Sequence, residues 1–132
     1  MGIVVCIFML LGLLVLWPWP SVPLKGLHSR PAWIASIATG VLLAGAWNAL
    51  WHGLRHLDAF WGLAALASGT LMVAAAALVL RRWRRAGAGI DAVLVTHRNG
   101  PARLLFAGLL ACFVLYAVTL VRLNLGYSII GQ

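Results

Sequence analysis

Ser36-Ile37-Ala38-Thr39-Gly40-Val41-Leu42-Leu43-Ala44-Gly45-Ala46-Trp47-Asn48-Ala49-Leu50-Trp51-His52-Gly53-Leu54-Arg55-His56 is the stretch that decides the reading of this chain. Ser36, Gly40, Ala44, Asn48, His52 and His56 recur in it at steps of four. On a helix, residues four apart lie one above the other, with a slow drift around the axis. The surrounding residues from Ala32 to Leu54 are almost all apolar, and a bilayer crossing needs roughly 20 such residues. Asn and His are costly in hydrocarbon, so this row is expected to face protein, water or a bound group.

Three further apolar stretches flank it. The expected architecture is all-α: a single transmembrane domain over residues 1–132, with spans at about 3–19, 32–54, 59–80 and 103–123 and a basic loop at 81–102. Four helices so spaced form an antiparallel up-down bundle. Only the residues around Arg55 to Asp58 separate the second and third spans, which therefore form a tight hairpin. Composition agrees, because 64% of residues are hydrophobic and 9% are charged, whereas soluble domains carry about 25% charged residues. The first stretch ends at Trp17-Pro18-Trp19-Pro20, where Pro cannot continue a regular helix and Trp suits the headgroup level. It is read as a retained helix, since it lacks the charged leader and cleavage site of a signal peptide.

A net charge of +8 invites a nucleic-acid reading, but the charges are distributed as the positive-inside rule requires. Lys25 and Arg30 follow the first span. Arg81, Arg82, Arg84, Arg85, Arg98 and Arg103 fall between the third and fourth spans, and only Arg55 and Arg122 lie on the other side. Both termini are then outside the cytoplasm, as in a bacterial inner-membrane protein, and Arg81, Arg82, Arg84 and Arg85 are positioned to meet anionic lipid. Cys6 and Cys112 have neither metal-ligand nor redox spacing and are read as small buried hydrophobes.

Small residues point to close helix packing. Ala65 with Gly69, and Ala64 with Ser68, are small-xxx-small pairs in the third span, and Gly40 with Ala44 offers the same spacing in the second. Asp58 is positioned to cap the third helix. Trp17, Trp19, Trp33 and Trp83 fit a belt on the cytoplasmic side, and Trp61 an outer one. Trp47 and Trp51, four apart on a different face from Asn48 and His52, suit lipid, a partner helix or a bound ring.

The candidate ligand or partner contacts are Asn48, His52, Arg55, His56, Trp47 and Trp51. No metal site is expected: His52 and His56 with Asp58 fall short of a zinc-type set of four ligands. Haem gripped by two His needs two helices, and the other spans contain no His. Haem or quinone contact is thus expected only with a partner subunit. Gly53-Leu54-Arg55-His56-Leu57 resembles the Gly-x-Arg-His stretch of the cytochrome b membrane anchor of succinate dehydrogenases. That resemblance covers five residues of 132. It implies a haem-ligating His four positions before the Gly and an Asp about four after the His, and this chain has Ala49 and Phe60 there. Asp58 arrives early, and the family's upstream Ser-x-x-His-Arg element has no counterpart, so no ligand carries over.

A polar pathway along the second helix would draw on Asn48, His52, Arg55 and His56, with Ser68, Thr70, Tyr116 and Thr119 elsewhere and no carboxylate within any span. Without a nucleophile–base pair, phosphate loop or carboxylate pair, the expected role is a small non-catalytic integral subunit of a larger membrane complex. A respiratory or redox assembly, with quinone or haem near helix two, is the specific form considered. The alternative is a homo-oligomeric transporter or channel built around helix two. Partners are the bilayer and other integral subunits, not nucleic acid. The orientation is open to direct test. Alkaline phosphatase fused after Gln132 is expected to be active in a bacterial host, and the same enzyme inserted between Gly87 and Asn99 inactive; the reverse pattern would overturn it.

Overall fold

The computed structural model describes residues 2–16, 30–86 and 100–124. These are 91% helical, with no strand among them. Helix α1 spans Gly2–Val15 and α2 spans Pro31–Trp47, continuing directly into a π-helical segment at Asn48–Gly53. Helix α3 spans Phe60–Ala86 and α4 spans Gly100–Asn124. Three of the helices are long and apolar enough to cross a membrane: Ala32–Gly53, Phe60–Arg81 and Gly100–Arg122.

Several boundaries differ from the sequence expectation. Helix α1 stops at Val15, with Leu16 in a turn, whereas a span to residue 19 was expected. Its 14 residues cover about 21 Å at roughly 1.5 Å per residue, less than a hydrocarbon core of about 30 Å. At the other end, the expected basic loop at 81–102 is helical over 81–86, because Arg and Ala are strong helix formers and the exposed Arg81 and Arg84 reach water without the backbone unwinding. Helix α4 begins at Gly100 rather than 103, since Pro101 in the first turn has no N–H to lose and its φ is already helical. The same logic sets Pro31 at the start of α2, where Arg30 provides no side-chain cap. The belt residues Trp17 and Trp19, together with Lys25, His28, Arg98 and the apolar piece 90–95, lie outside the described residues.

Helices α2 and α3 make the most extensive contact, and α1 lies against both α2 and α4 while α3 lies against α4. The α2–α3 pair runs in opposite senses: Gly53 meets Leu66, Asn48 meets Ala65 and Ser68, and Gly45 meets Met72. This is the tight hairpin read from the short connection. Its packing row is Gly45, Ala49 and Gly53 rather than the anticipated Gly40 and Ala44. Gly40 instead faces α1, where a Cβ would lie 2.8 Å from the Phe8 ring. The partner row on α3 does include Ala65 and Gly69.

Contact here is backbone against backbone. A Cβ on Gly69 would sit 2.6 Å from both the Ala49 nitrogen and the Gly45 carbonyl oxygen, and one on Gly45 would sit 2.6 Å from the Met72 Cβ. In a bilayer, lipid is as apolar as Leu, so such close van der Waals contact is what holds helices together. Around the crossing, Met9, Leu13, Ile34, Val41, Met72 and Leu109 form a fully apolar interior, each at most 3% exposed. The void beside Gly12, Val41 and Ala75 is only about 10 Å³, at the threshold for a single water, and it has no polar partner to hold one.

Because the backbone atoms around Gly69 have nowhere to retreat, Gly69→Ala is expected to cost about 1–3 kcal/mol. Gly100→Ala, with nothing within 4 Å, is expected to be neutral or stabilising by up to about 1 kcal/mol. Reversible unfolding in mixed micelles measures both, and equal stability of Gly69→Ala and the parent would contradict the close crossing.

Candidate functional site: a cavity at one end of the bundle

The site is built around the π-helical segment. At its start, the Asn48 N–H reaches both the Ala44 and Gly45 carbonyls, and at its end the Leu54 N–H bonds the Ala49 carbonyl five residues back, at 3.0 Å. Such a turn holds more than four residues, so residues four apart keep nearly the same direction instead of advancing by an α-helical step. Asn48 and His52 therefore stay on one side. Single π-turns inside α-helices occur frequently at functional sites.

Asn48 is 3% exposed and Ser68 is 0% exposed, and the two form a polar clasp inside the apolar core. The Asn48 Nδ2 donates to the Ala65 carbonyl at 3.1 Å and to the Ser68 Oγ at 3.0 Å, while the Ser68 hydroxyl donates to the Ala65 carbonyl at 3.2 Å. A buried amide without such partners would be strongly destabilising. Both Asn48 hydrogen bonds cross to α3, so the residue faces protein, one of the surroundings expected for its row. Other hydroxyls in the helices are satisfied locally: Ser36, Thr39, Thr70 and Thr119 each donate to a carbonyl three or four residues back, at 2.7–2.9 Å.

On the loop side of the clasp lies a cavity of about 270 Å³. The row Asn48, His52 and His56 forms one wall, although His56 has left the helix for the connecting turn. Trp61 and Tyr116 form the aromatic wall, with ring centroids 6.0 Å apart and planes at 80°. Gly2 and Val5 of α1 and Gly62 and Ala65 of α3 close it with small or apolar groups. Gly62 has to be glycine, since a side chain there would run into the His56 carbonyl. His56 and Ala59 are exposed at the rim, so the cavity opens toward the α2–α3 connection.

Among the described residues, His52 carries the buried side-chain atom left without a hydrogen bond. Its Nε2 is buried and has no hydrogen-bond partner, and a buried polar atom without one calls for a physical reason. The Tyr116 hydroxyl likewise has no hydrogen bond among the described residues. No group of three or more His, Cys, Asp or Glu capable of holding a metal occurs among the described residues, and both cysteines are free thiols.

The structure separates residues that the sequence grouped together. Arg55 does not join His52 and His56. Its guanidinium carbon lies 3.5 Å from the Trp51 ring centroid, and Trp51 stacks on Trp47 at 5.0 Å with planes 14° apart. A three-tier ladder results on the exposed outer surface, since a weakly hydrated guanidinium gains more over an indole than in an apolar cavity. Asp58 is exposed in the turn without a side-chain hydrogen bond; the Ala59 carbonyl, not the Asp58 carboxylate, receives the Gly62 and Leu63 N–H groups. The anticipated cap is absent because the helix starts at Phe60, one residue later than expected, which leaves Ala59 rather than Asp58 next to its first turn. Trp61 turns inward to the cavity wall rather than serving only as a belt residue. Its pairing with Tyr116 was not legible, because nothing local in either helix specifies which faces meet.

No family model matches this chain, and no curated protein or solved structure does so either.

Asn48→Ala is expected to destabilise the chain by more than Ser68→Ala, because without Ser68 the Asn48 amide still bonds the Ala65 carbonyl. A double-mutant cycle in micelles is expected to give a coupling of about 0.6 kcal/mol, typical of membrane interhelical hydrogen bonds. Zero coupling would mean that the clasp does not form.

Proposed function

We propose that this chain is a small, non-catalytic integral subunit of a larger membrane protein complex, crossing the bilayer four times in an up-down antiparallel bundle. Both termini then lie outside the cytoplasm in a bacterial inner-membrane arrangement. The three long apolar helices support the placement, and tilt or local bilayer thinning accommodates the short α1. Arg81, Arg82, Arg84 and Arg85 continue α3 beyond its apolar part, where they meet anionic lipid on the cytoplasmic side.

One observation carries the functional reading: among the described residues, the buried polar side chains end at the Asn48–Ser68 clasp. Beneath it, Val41, Met72, Ala75 and Leu109 are at most 2% exposed, so the described residues of a single copy leave no continuous polar route for ions. A binding or docking role suits a cavity that ends blindly. Its lining has histidines and aromatic rings but no carboxylate to couple ion movement. The redox form of the reading places contact with a quinone or haem held together with a partner subunit at this end, beside Asn48, His52 and His56, with Trp47, Trp51 and Arg55 on the outward surface toward lipid or that partner.

Purification from native membranes in mild detergent tests this. Stoichiometric larger membrane proteins are expected to co-elute. A pure homo-oligomer of this chain, free of partners, would overturn the subunit reading in favour of a transporter or channel assembled around helix two.

A further inference from the structure

We propose that the cavity at the π-helical end binds the ring headgroup of a membrane-soluble quinone or its quinol, with one ring oxygen hydrogen-bonded to His52 Nε2. This deepens the reading above, resting on its placement of the cavity at the outer edge of the bilayer. It also narrows that reading, since a site within one chain replaces one shared with a partner.

Four observations select this ligand class. The first is the orphaned atom. His52 lines the cavity and its Nε2 is buried without a partner among the described residues; a turn of the ring brings it to the ligand, where an imidazole nitrogen pairs with a quinone carbonyl as donor or with a quinol hydroxyl as acceptor. Tyr116, on the facing helix, carries a second uncommitted hydroxyl.

The second observation is the aromatic wall. Trp61 and Tyr116 meet edge to face at 6.0 Å and 80°, which presents ring surface against which another ring can pack. Third comes charge. No Asp, Glu, Lys or Arg lines the cavity; Arg55 is held over Trp51 instead, and Asp58 stays in the turn. A neutral ligand is therefore favoured over an anion or a cation, either of which would be buried without a counter-charge.

Size and access supply the fourth. A volume of about 270 Å³ falls just below the roughly 300–1,000 Å³ of pockets that take drug-sized molecules. It accommodates one substituted six-membered ring and is too small for a haem macrocycle. The Asn48 side chain, held by its hydrogen bond to Ser68, closes the inner end at the depth of His52, while the apolar Val5 and Ala65 suit ring substituents. A hydrocarbon tail leaves into the membrane, where such molecules already partition.

The full chain in lipid nanodiscs, titrated with decylubiquinone and in a second series with menadione, provides the test. Bound quinone is measured by absorbance after filtration, against protein-free discs. The parent chain is expected to take up one saturable equivalent of at least one probe. His52→Ala is expected to weaken that binding about tenfold, the loss of roughly 1.4 kcal/mol. Ala59→Trp, at the exposed rim where it does not disturb the core, is expected to weaken it at least as much by blocking the entrance. Trp33→Phe, on the exposed face near the opposite end of α2, is expected to leave it unchanged. Uptake by the parent no greater than that of protein-free discs would overturn the inference, as would parent-like affinity in both His52→Ala and Ala59→Trp. The two readings fail separately. Stoichiometric partners without saturable quinone uptake remove the ligand and leave the subunit role, whereas uptake by a partner-free oligomer does the reverse.

Discussion

Close approach of two backbones, α2 and α3, is the constraint on which the rest of this molecule depends. Gly45 and Gly69 leave no room for even a methyl group between the helices. For helices surrounded by lipid, burial of apolar surface supplies little net drive and close backbone contact of this kind carries the association. It also fixes depth and rotation. With the backbones locked, the Asn48 amide falls within reach of both Ser68 and the Ala65 carbonyl, and the polar pair then penalises any slide that would leave it unsatisfied.

The same interface explains why the site lies where it does. Below the clasp, glycine and alanine bring the helices together and Met9, Met72 and Leu109 fill the gaps. Above it, the π-turn keeps Asn48 and His52 in line, and the chain crosses to α3 through a short turn. There Trp61 of α3 and Tyr116 of α4 meet edge to face, and the space between them and the Asn48–His52 row is the cavity.

The all-helical character and the long apolar helices were legible in hydropathy, and the hairpin followed from the brevity of the Arg55 to Asp58 connection. The step-of-four row was legible too, because Asn48, His52 and His56 stand out against an apolar background, and they do line one cavity. Arg55 was misplaced because its position in sequence suggested the same polar group, while its long side chain turns back onto Trp51. The choice between Gly40–Ala44 and Gly45–Ala49–Gly53 as the packing row was not legible either. Both have the same spacing, and only the partner helix decides between them. Tyr116 and Val5 enter the site through tertiary contact alone, which no local pattern encodes. The helical continuation through Arg81 to Ala86 shows the opposite error, a charge run taken for a loop although its residues are good helix formers.

A bundle closed at its centre and open at one end makes a definite statement about water. Single cysteines placed along the interior of the chain in lipid bilayers, and treated with a water-soluble maleimide, measure it directly. The account predicts labelling at positions 56 and 59, at the rim of the cavity, and none at 41, 72, 75 or 109. Labelling that continued from the cavity down through those four positions would reveal an aqueous path across the bundle and contradict the blind cavity on which the functional reading stands.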